Sequence, residues 1–176
     1  MANYICYPLT KVPEHLVEKV VVPSATTYRA GDIVMAETLK SGSREVYTGA
    51  AIGTVASSFP AIVINQGFEQ LADGRRPAGQ PDPGKFEYTE GDVITVVRLD
   101  KHLKFFISND AITATSAIAA GKVLVPKTAT QKLECLAAPV GTEAVVANIE
   151  LVETNGNGGL FGFDFVTGVI ARVAKA

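Results

Sequence analysis

Glu90-Gly91-Asp92-Val93-Ile94-Thr95-Val96-Val97-Arg98-Leu99, followed by Asp100-Lys101-His102 and then Leu103-Lys104-Phe105-Phe106-Ile107-Ser108, decides the fold class of this chain. Two runs of β-branched, aliphatic and aromatic residues flank a three-residue polar turn, which reads as a β-hairpin. Lys104 interrupts the second run as a residue on an exposed sheet face would. Gly91-Asp92 opens the first run: glycine accepts backbone angles that other residues resist, and the aspartate stays in water as the chain enters the core.

The same opening recurs outward from this stretch. Ala30-Gly31-Asp32-Ile33-Val34 and Ala120-Gly121-Lys122-Val123-Leu124 repeat it at irregular spacing, so they are an echo and not the fixed period of a solenoid. Upstream, strands are expected at Val17–Val22, Ile33–Leu39 and Ala61–Asn65, with Tyr47–Val55 a further apolar stretch. Downstream, Val123–Pro126 and Lys132–Leu136 are placed to pair. Ala144–Val152 is another apolar run, and Phe161–Val173 alternates, with Phe161, Phe163 and Phe165 on one face toward the core. Ala111–Ala120 reads as a short helix or an irregular crossover. The expected fold is all-β, a small β-barrel or β-tulip-like domain with few or no helices. Pro13 and Pro23 bracket an extended N-terminal arm, residues 1–25. A single β domain then fills 26–176, with a long exposed loop at 66–84 rich in Gly, Pro and Asp.

Hydrophobic residues are 47% of the 176 and charged residues 19%, a globular composition with a formal charge of −2. There is no basic surplus to neutralise phosphates, so a nucleic-acid partner is not expected, and Arg75 and Arg76 read as a solvated pair in the long loop. No apolar run approaches the roughly 20 residues that span a bilayer, so no membrane partner is expected either. The N-terminus carries no basic segment followed by an apolar one, which points to cytoplasmic synthesis.

Catalytic signatures are sparse. Cys6 and Cys135 stand far apart without CxxC spacing or a neighbouring histidine, so no metal site is expected. His15 lies in a proline-flanked segment and His102 in a turn. No serine sits in a G-x-S-x-G elbow, and Gly156-Asn157-Gly158-Gly159-Leu160-Phe161 lacks the phosphate-cradling pattern. Carboxylates occur singly, without an environment that would split a pair into acid and base. The expectation is a protein without enzymatic activity or cofactor. A lectin-like sandwich is an alternative, disfavoured by the absence of Trp.

The proline-bearing N-terminal segment, the strands opened by Ala-Gly-Asp turns, the wealth of Ala, Thr, Val and Gly, and the apolar end Ile170-Ala171-Arg172-Val173-Ala174-Lys175-Ala176 resemble the capsid decoration (cement) proteins of tailed bacteriophages. The likeness is one of style across most of the chain, without a diagnostic motif. It implies a virion protein on the outer face of the head, partnered by the major capsid protein and most often trimeric, with its arm adding to capsid sheets. Another β-rich virion component, of the tail or the head-completion apparatus, would share this style. Tyr4, Tyr7 and Leu9 are the expected anchors of the arm, and Arg75 and Arg76 the expected contacts of the loop.

Overall fold

The computed structural model describes residues 2–51, 60–65, 83–127, 130–139, 141, 146–156 and 166–175. Its strands are β1 (Cys6–Pro8), β2 (Val17–Val21), β3 (Ile33–Leu39), β4 (Val46–Ala50), β5 (Pro60–Val63), β6 (Val93–Arg98), β7 (Lys104–Ser108), β8 (Ile112–Ala114), β9 (Val123–Lys127), β10 (Lys132–Leu136), β11 (Val146–Gly156) and β12 (Val166–Lys175). Helix is confined, among the described residues, to the one-turn 3-10 segments Glu14–Leu16, Pro83–Lys85 and Asn109–Ala111. The protein is all-β. Strands β2-β4-β3-β5-β6 close into a barrel, and the others form a seven-stranded sheet in the order β1-β7-β12-β11-β9-β10-β8.

Strand alternation connects the two bodies. Val34 and Ala36 of β3, Ala61 and Val63 of β5 and Ile94 and Val96 of β6 fill the barrel together with Val20, Val22, Tyr28 and Tyr88. The intervening Ile33, Met35, Ile62 and Val97 belong to a second core with Phe105, Ile107, Leu124, Leu133, Ile149, Val169 and Val173 of the sheet. Strands β3 and β5 are therefore covered on both faces, which is why Ile33–Ala36 and Pro60–Val63 read as unbroken small and apolar runs. Each large aliphatic or aromatic side chain so buried contributes roughly 1.5–3 kcal/mol. By contrast β2 alternates: Val20 is buried, while Val17 and Lys19 face water. At one barrel mouth Arg98 Nε donates to Glu18 Oε1 at 3.0 Å, and its guanidinium stands 5.6 Å from the Tyr47 ring centroid.

Two expectations change. Val93–Arg98 and Lys104–Ser108 are strands, but they do not form a hairpin: β6 closes the barrel against β2 and β5, whereas β7 pairs with β1 and β12. Asp100–His102 is instead the crossing between the two bodies, with Leu103 N donating to Asp100 O and His102 N to Val173 O. The stretch Ala111–Ala120 yields no α-helix; it starts in a 3-10 turn and continues as β8, which runs parallel to β10. Within residues 2–25, expected as an extended N-terminal arm, β1 pairs with β7 and β2 lies between β4 and β6. Of the long loop 66–84, all but the Pro83-Gly84 end lies outside the described residues, as do Phe161, Phe163 and Phe165.

The outer edge of β1 is closed locally. Cys6 N donates to Asn65 Oδ1 at 2.7 Å, Asn65 N donates to Cys6 O at 3.0 Å, and Asn65 Nδ2 donates to Tyr4 O at 3.3 Å. Pro8 then removes a donor from the edge. Asn65 thus fastens the N-terminal strand to the end of β5. Replacing it with alanine is expected to leave the buried Cys6 N–H unsatisfied and to lower stability by about 2 kcal/mol in denaturant unfolding. An unchanged midpoint would mean that the fastening is dispensable.

Candidate functional site

The outward face of the seven-stranded sheet carries the most organised surface feature. Tyr7, Phe106, Ile170 and Leu151 are successive cross-strand partners on β1, β7, β12 and β11. One apolar row therefore crosses four strands, each step close to 4.8 Å. The Tyr7 and Phe106 rings stack with centroids 5.1 Å apart and planes 20° from parallel. Phe106 is only 3% exposed, Tyr7 and Ile170 are half-buried, and Leu151 is 50% exposed. Burial pushes the Tyr7 phenol up to about 12, with Glu153 and then Cys6 adding to the effect, so the hydroxyl remains neutral at physiological pH.

A β-bulge turns Leu151 outward. The register of β11 against β12 shifts between Ile149 and Leu151, and Ile149 and Val152 both pack against the inner core. The extra residue lets Glu150 and Leu151 share the outer face, which strict alternation would forbid. Glu150 uses that position to accept from Lys104 Nζ at 2.9 Å and from Arg172 Nε at 2.6 Å. Lys104 and Arg172 are themselves cross-strand partners. The hydrogen bond from Lys104, with Arg172 assisting, holds the Glu150 carboxyl below the usual range. An apolar row bounded by fixed charges has the arrangement of a protein contact, with a dry centre and a polar rim.

Of the anchor residues expected from sequence, the described ones divide between two places. Tyr7 lies in the apolar row. Leu9 follows as an exposed residue whose N–H donates to Lys104 O at 2.8 Å, beside the charged rim. Tyr4 lies elsewhere: its ring packs against the core between barrel and sheet, with Arg29 Cζ at 4.6 Å and Lys132 Nζ at 4.8 Å from its centroid. Arg75 and Arg76 lie outside the described residues. Sequence reading missed Phe106, Ile170 and Leu151 as surface-related positions. Phe106 and Ile170 do alternate with core residues, a usable signal, whereas the bulge that exposes Leu151 leaves none.

Other chemistry-bearing groups do not converge on this face. His15 and His102 are exposed on separate turns. Cys6 and Cys135 are buried free thiols in the core between the bodies, and burial, with Asp32 nearby, pushes the Cys6 thiol far up. A shallow depression beside β2 and β4, lined by Glu14, Glu18, Lys19, Arg44, Glu45 and Tyr47, mixes both signs of charge. Among the described residues no three His, Cys, Asp or Glu side chains are grouped to hold a metal ion, and no helix is long and apolar enough to cross a membrane. A scan against protein-family models finds no match to this chain, and a search of curated proteins likewise finds none.

Proposed function

We propose that this chain is a non-enzymatic structural protein of the virion, which binds the outer surface of a tailed-phage head and stabilises the capsid lattice. The observation that carries this reading is the registered row Tyr7–Phe106–Ile170–Leu151 on a sheet face, edged by the Lys104–Glu150–Arg172 network. A stapling protein works through area and complementarity, and a rigid sheet presents both at low conformational cost. The resemblance of the sequence to capsid decoration proteins selects the major capsid protein as partner and a homotrimer as the assembly that delivers it. Because β1 and β2 pair within their own chain, this reading assigns the contact to the sheet face and not to a free N-terminal arm.

Mixing the purified protein with undecorated heads and measuring co-sedimentation tests the proposal. Saturable binding is expected at a fixed ratio to the capsid subunit, with heads that then survive heating better. Leu151→Asp places a charge at the exposed end of the row and is expected to weaken binding at least tenfold while leaving the melting temperature within a degree or two of wild type. Absence of binding to heads of a matched phage would sink the virion reading. Full binding by Leu151→Asp would remove this face from it.

A further inference from the structure

Two turns in this protein are local copies of each other placed in opposite surroundings. Tyr28-Arg29-Ala30-Gly31-Asp32 precedes β3, and Tyr88-Thr89-Glu90-Gly91-Asp92 precedes β6. The tyrosines bridge one another, Tyr28 N donating to Tyr88 O at 3.0 Å and Tyr88 N to Tyr28 O at 2.8 Å. In the first turn Asp32 N donates to Arg29 O at 3.1 Å, while Asp32 Oδ2 accepts from Arg29 N at 2.8 Å. In the second, Asp92 N donates to Thr89 O at 3.0 Å, while Asp92 Oδ2 accepts from Thr89 N at 2.7 Å. Even the flanking pairings correspond: Val63 bonds Gly31 and Asp32 at 2.8 and 2.9 Å, and Val22 bonds Gly91 and Asp92 at 3.1 and 3.0 Å.

Only the surroundings differ. Asp92 is exposed, whereas Asp32 is 7% exposed, and its Oδ1 is buried with no hydrogen-bond partner among the described residues. The Asp32 turn sits under the seven-stranded sheet, where Gly31 packs on Ala111 and Ile107. Its charged and titratable neighbours come from every element around it: Arg29 in the same turn, Tyr28 before it, Glu87 ahead of the second turn, Lys132 on β10 and Cys6 on β1. Gln131, whose carbonyl accepts from Ile33 N at 2.6 Å, brings a second buried oxygen, Oε1, without a partner among the described residues, on the residue beside Lys132.

We propose that Asp32 is a proton-operated latch between the barrel and the sheet, tight when its carboxyl is neutral and loosened when it is ionised. A buried carboxylate with one bare oxygen is costly, and a proton on that oxygen removes the charge while leaving Oδ2 free to accept from Arg29 N. Burial pushes the carboxyl from 3.8 up to about 6, against the opposing pull of the Arg29 N–H, Lys132 and the Arg29 guanidinium. A carboxyl raised in the folded state binds its proton more tightly there than in the opened state. The latch therefore contributes most below about pH 4, weakens as pH rises and is released above about 6. The shift corresponds to roughly a 100-fold change in the opening equilibrium. This inference is independent of what the sheet face binds.

Native-state hydrogen exchange at the Gly31, Ile33 and Val63 amides, corrected for intrinsic rates between pH 4 and 7, reads that equilibrium. Wild type is expected to open roughly 100-fold more readily at pH 7 than at pH 4, relative to Asp32→Asn, which keeps an acceptor for Arg29 N and cannot ionise. Asp92→Asn is expected to retain the wild-type pH dependence. Identical pH profiles for wild type and Asp32→Asn, or loss of the dependence in Asp92→Asn, would overturn the latch. Should Asp32→Asn fail to fold, the carboxyl carbon resonance of Asp32 in the unmodified protein decides: a midpoint near 6 supports the latch, and one at or below about 4 removes it.

Discussion

Gly168→Ala is expected to destabilise the protein by about 3 kcal/mol or to prevent its folding, although it adds a single methyl group to a sheet. Gly168 lies on β12, directly beside Phe106 and opposite Ser108 of β7. A Cβ at this position would stand 2.6 Å from Ile107 O and closer still to the Phe106 ring, which lies over the glycine. The carbonyl belongs to the β7–β12 ladder and cannot withdraw without breaking it. The ring is constrained in turn by its stack on Tyr7 and its packing with Ile5, Val166 and Ile170. Relief therefore requires either main-chain separation or ejection of an aromatic that is almost fully buried. Thermal and denaturant unfolding measure the loss, and near-ultraviolet circular dichroism should report the disturbed Tyr7–Phe106 pair. A wild-type midpoint would show that the ring reaches an alternative position at little cost, and that the apolar row is not rigidly held.

This clash bears on function because Gly168 seats the ring that underlies the proposed contact face. The glycine leaves room for the buried Phe106 ring over β12, where it supports the half-buried Tyr7 and Ile170, and Leu151 projects at the end of the row. A modest Gly168→Ala destabilisation accompanied by loss of head binding would tie the two properties to one geometry.

Local chemistry made the strands legible, but it did not reveal their partners. Ile33–Leu39 was readable to the residue because a charged position on one face of its first half would have no water to meet. Val93–Arg98 and Lys104–Ser108 were equally clear as strands, yet the short polar segment between them was read as a hairpin turn. A turn of that length also serves a chain leaving a closed barrel, and nothing in Asp100-Lys101-His102 distinguishes the two uses. The pairing partners of the segment before Val22 were hidden for a related reason. Prolines at 13 and 23 mark extended backbone, while the capping of β1 depends on Asn65, some 60 residues away in sequence. On the outer face, Tyr7 was readable as an aromatic near the N-terminus. Leu151 was not, because its orientation comes from a bulge specified by how Ile149 and Val152 pack inward. The glycine echo was visible, and all three turns do open strands with Gly31, Gly91 and Gly121 at positive φ. What the pattern did not disclose is that one of them is covered by the sheet.

That coverage makes Gly31→Ala far more damaging than Gly91→Ala, by about 2 kcal/mol or more. Both glycines adopt similar backbone angles, with φ of +93° and +87°, so alanine is strained at either position by about 1–2 kcal/mol. At Gly91 this is the whole cost, because a Cβ would meet no atom within 4 Å. At Gly31 the same Cβ would lie 2.7 Å from the Ala111 Cβ, in the 3-10 turn after β7, and 3.0 Å from Ile107 Cδ1 on β7 itself. Overpacking of that kind adds roughly 1–3 kcal/mol, and Ala111 is itself the buried residue of its 3-10 turn. The difference between the two variants cancels the backbone strain they share, so it reports the closeness of the barrel to the sheet. Equal losses in denaturant unfolding would mean that the junction yields freely and that the two bodies are only loosely coupled. A large excess at Gly31, partly relieved by the double variant Gly31→Ala with Ala111→Gly, would locate the cost in that one contact and show that the barrel and sheet are held as a unit.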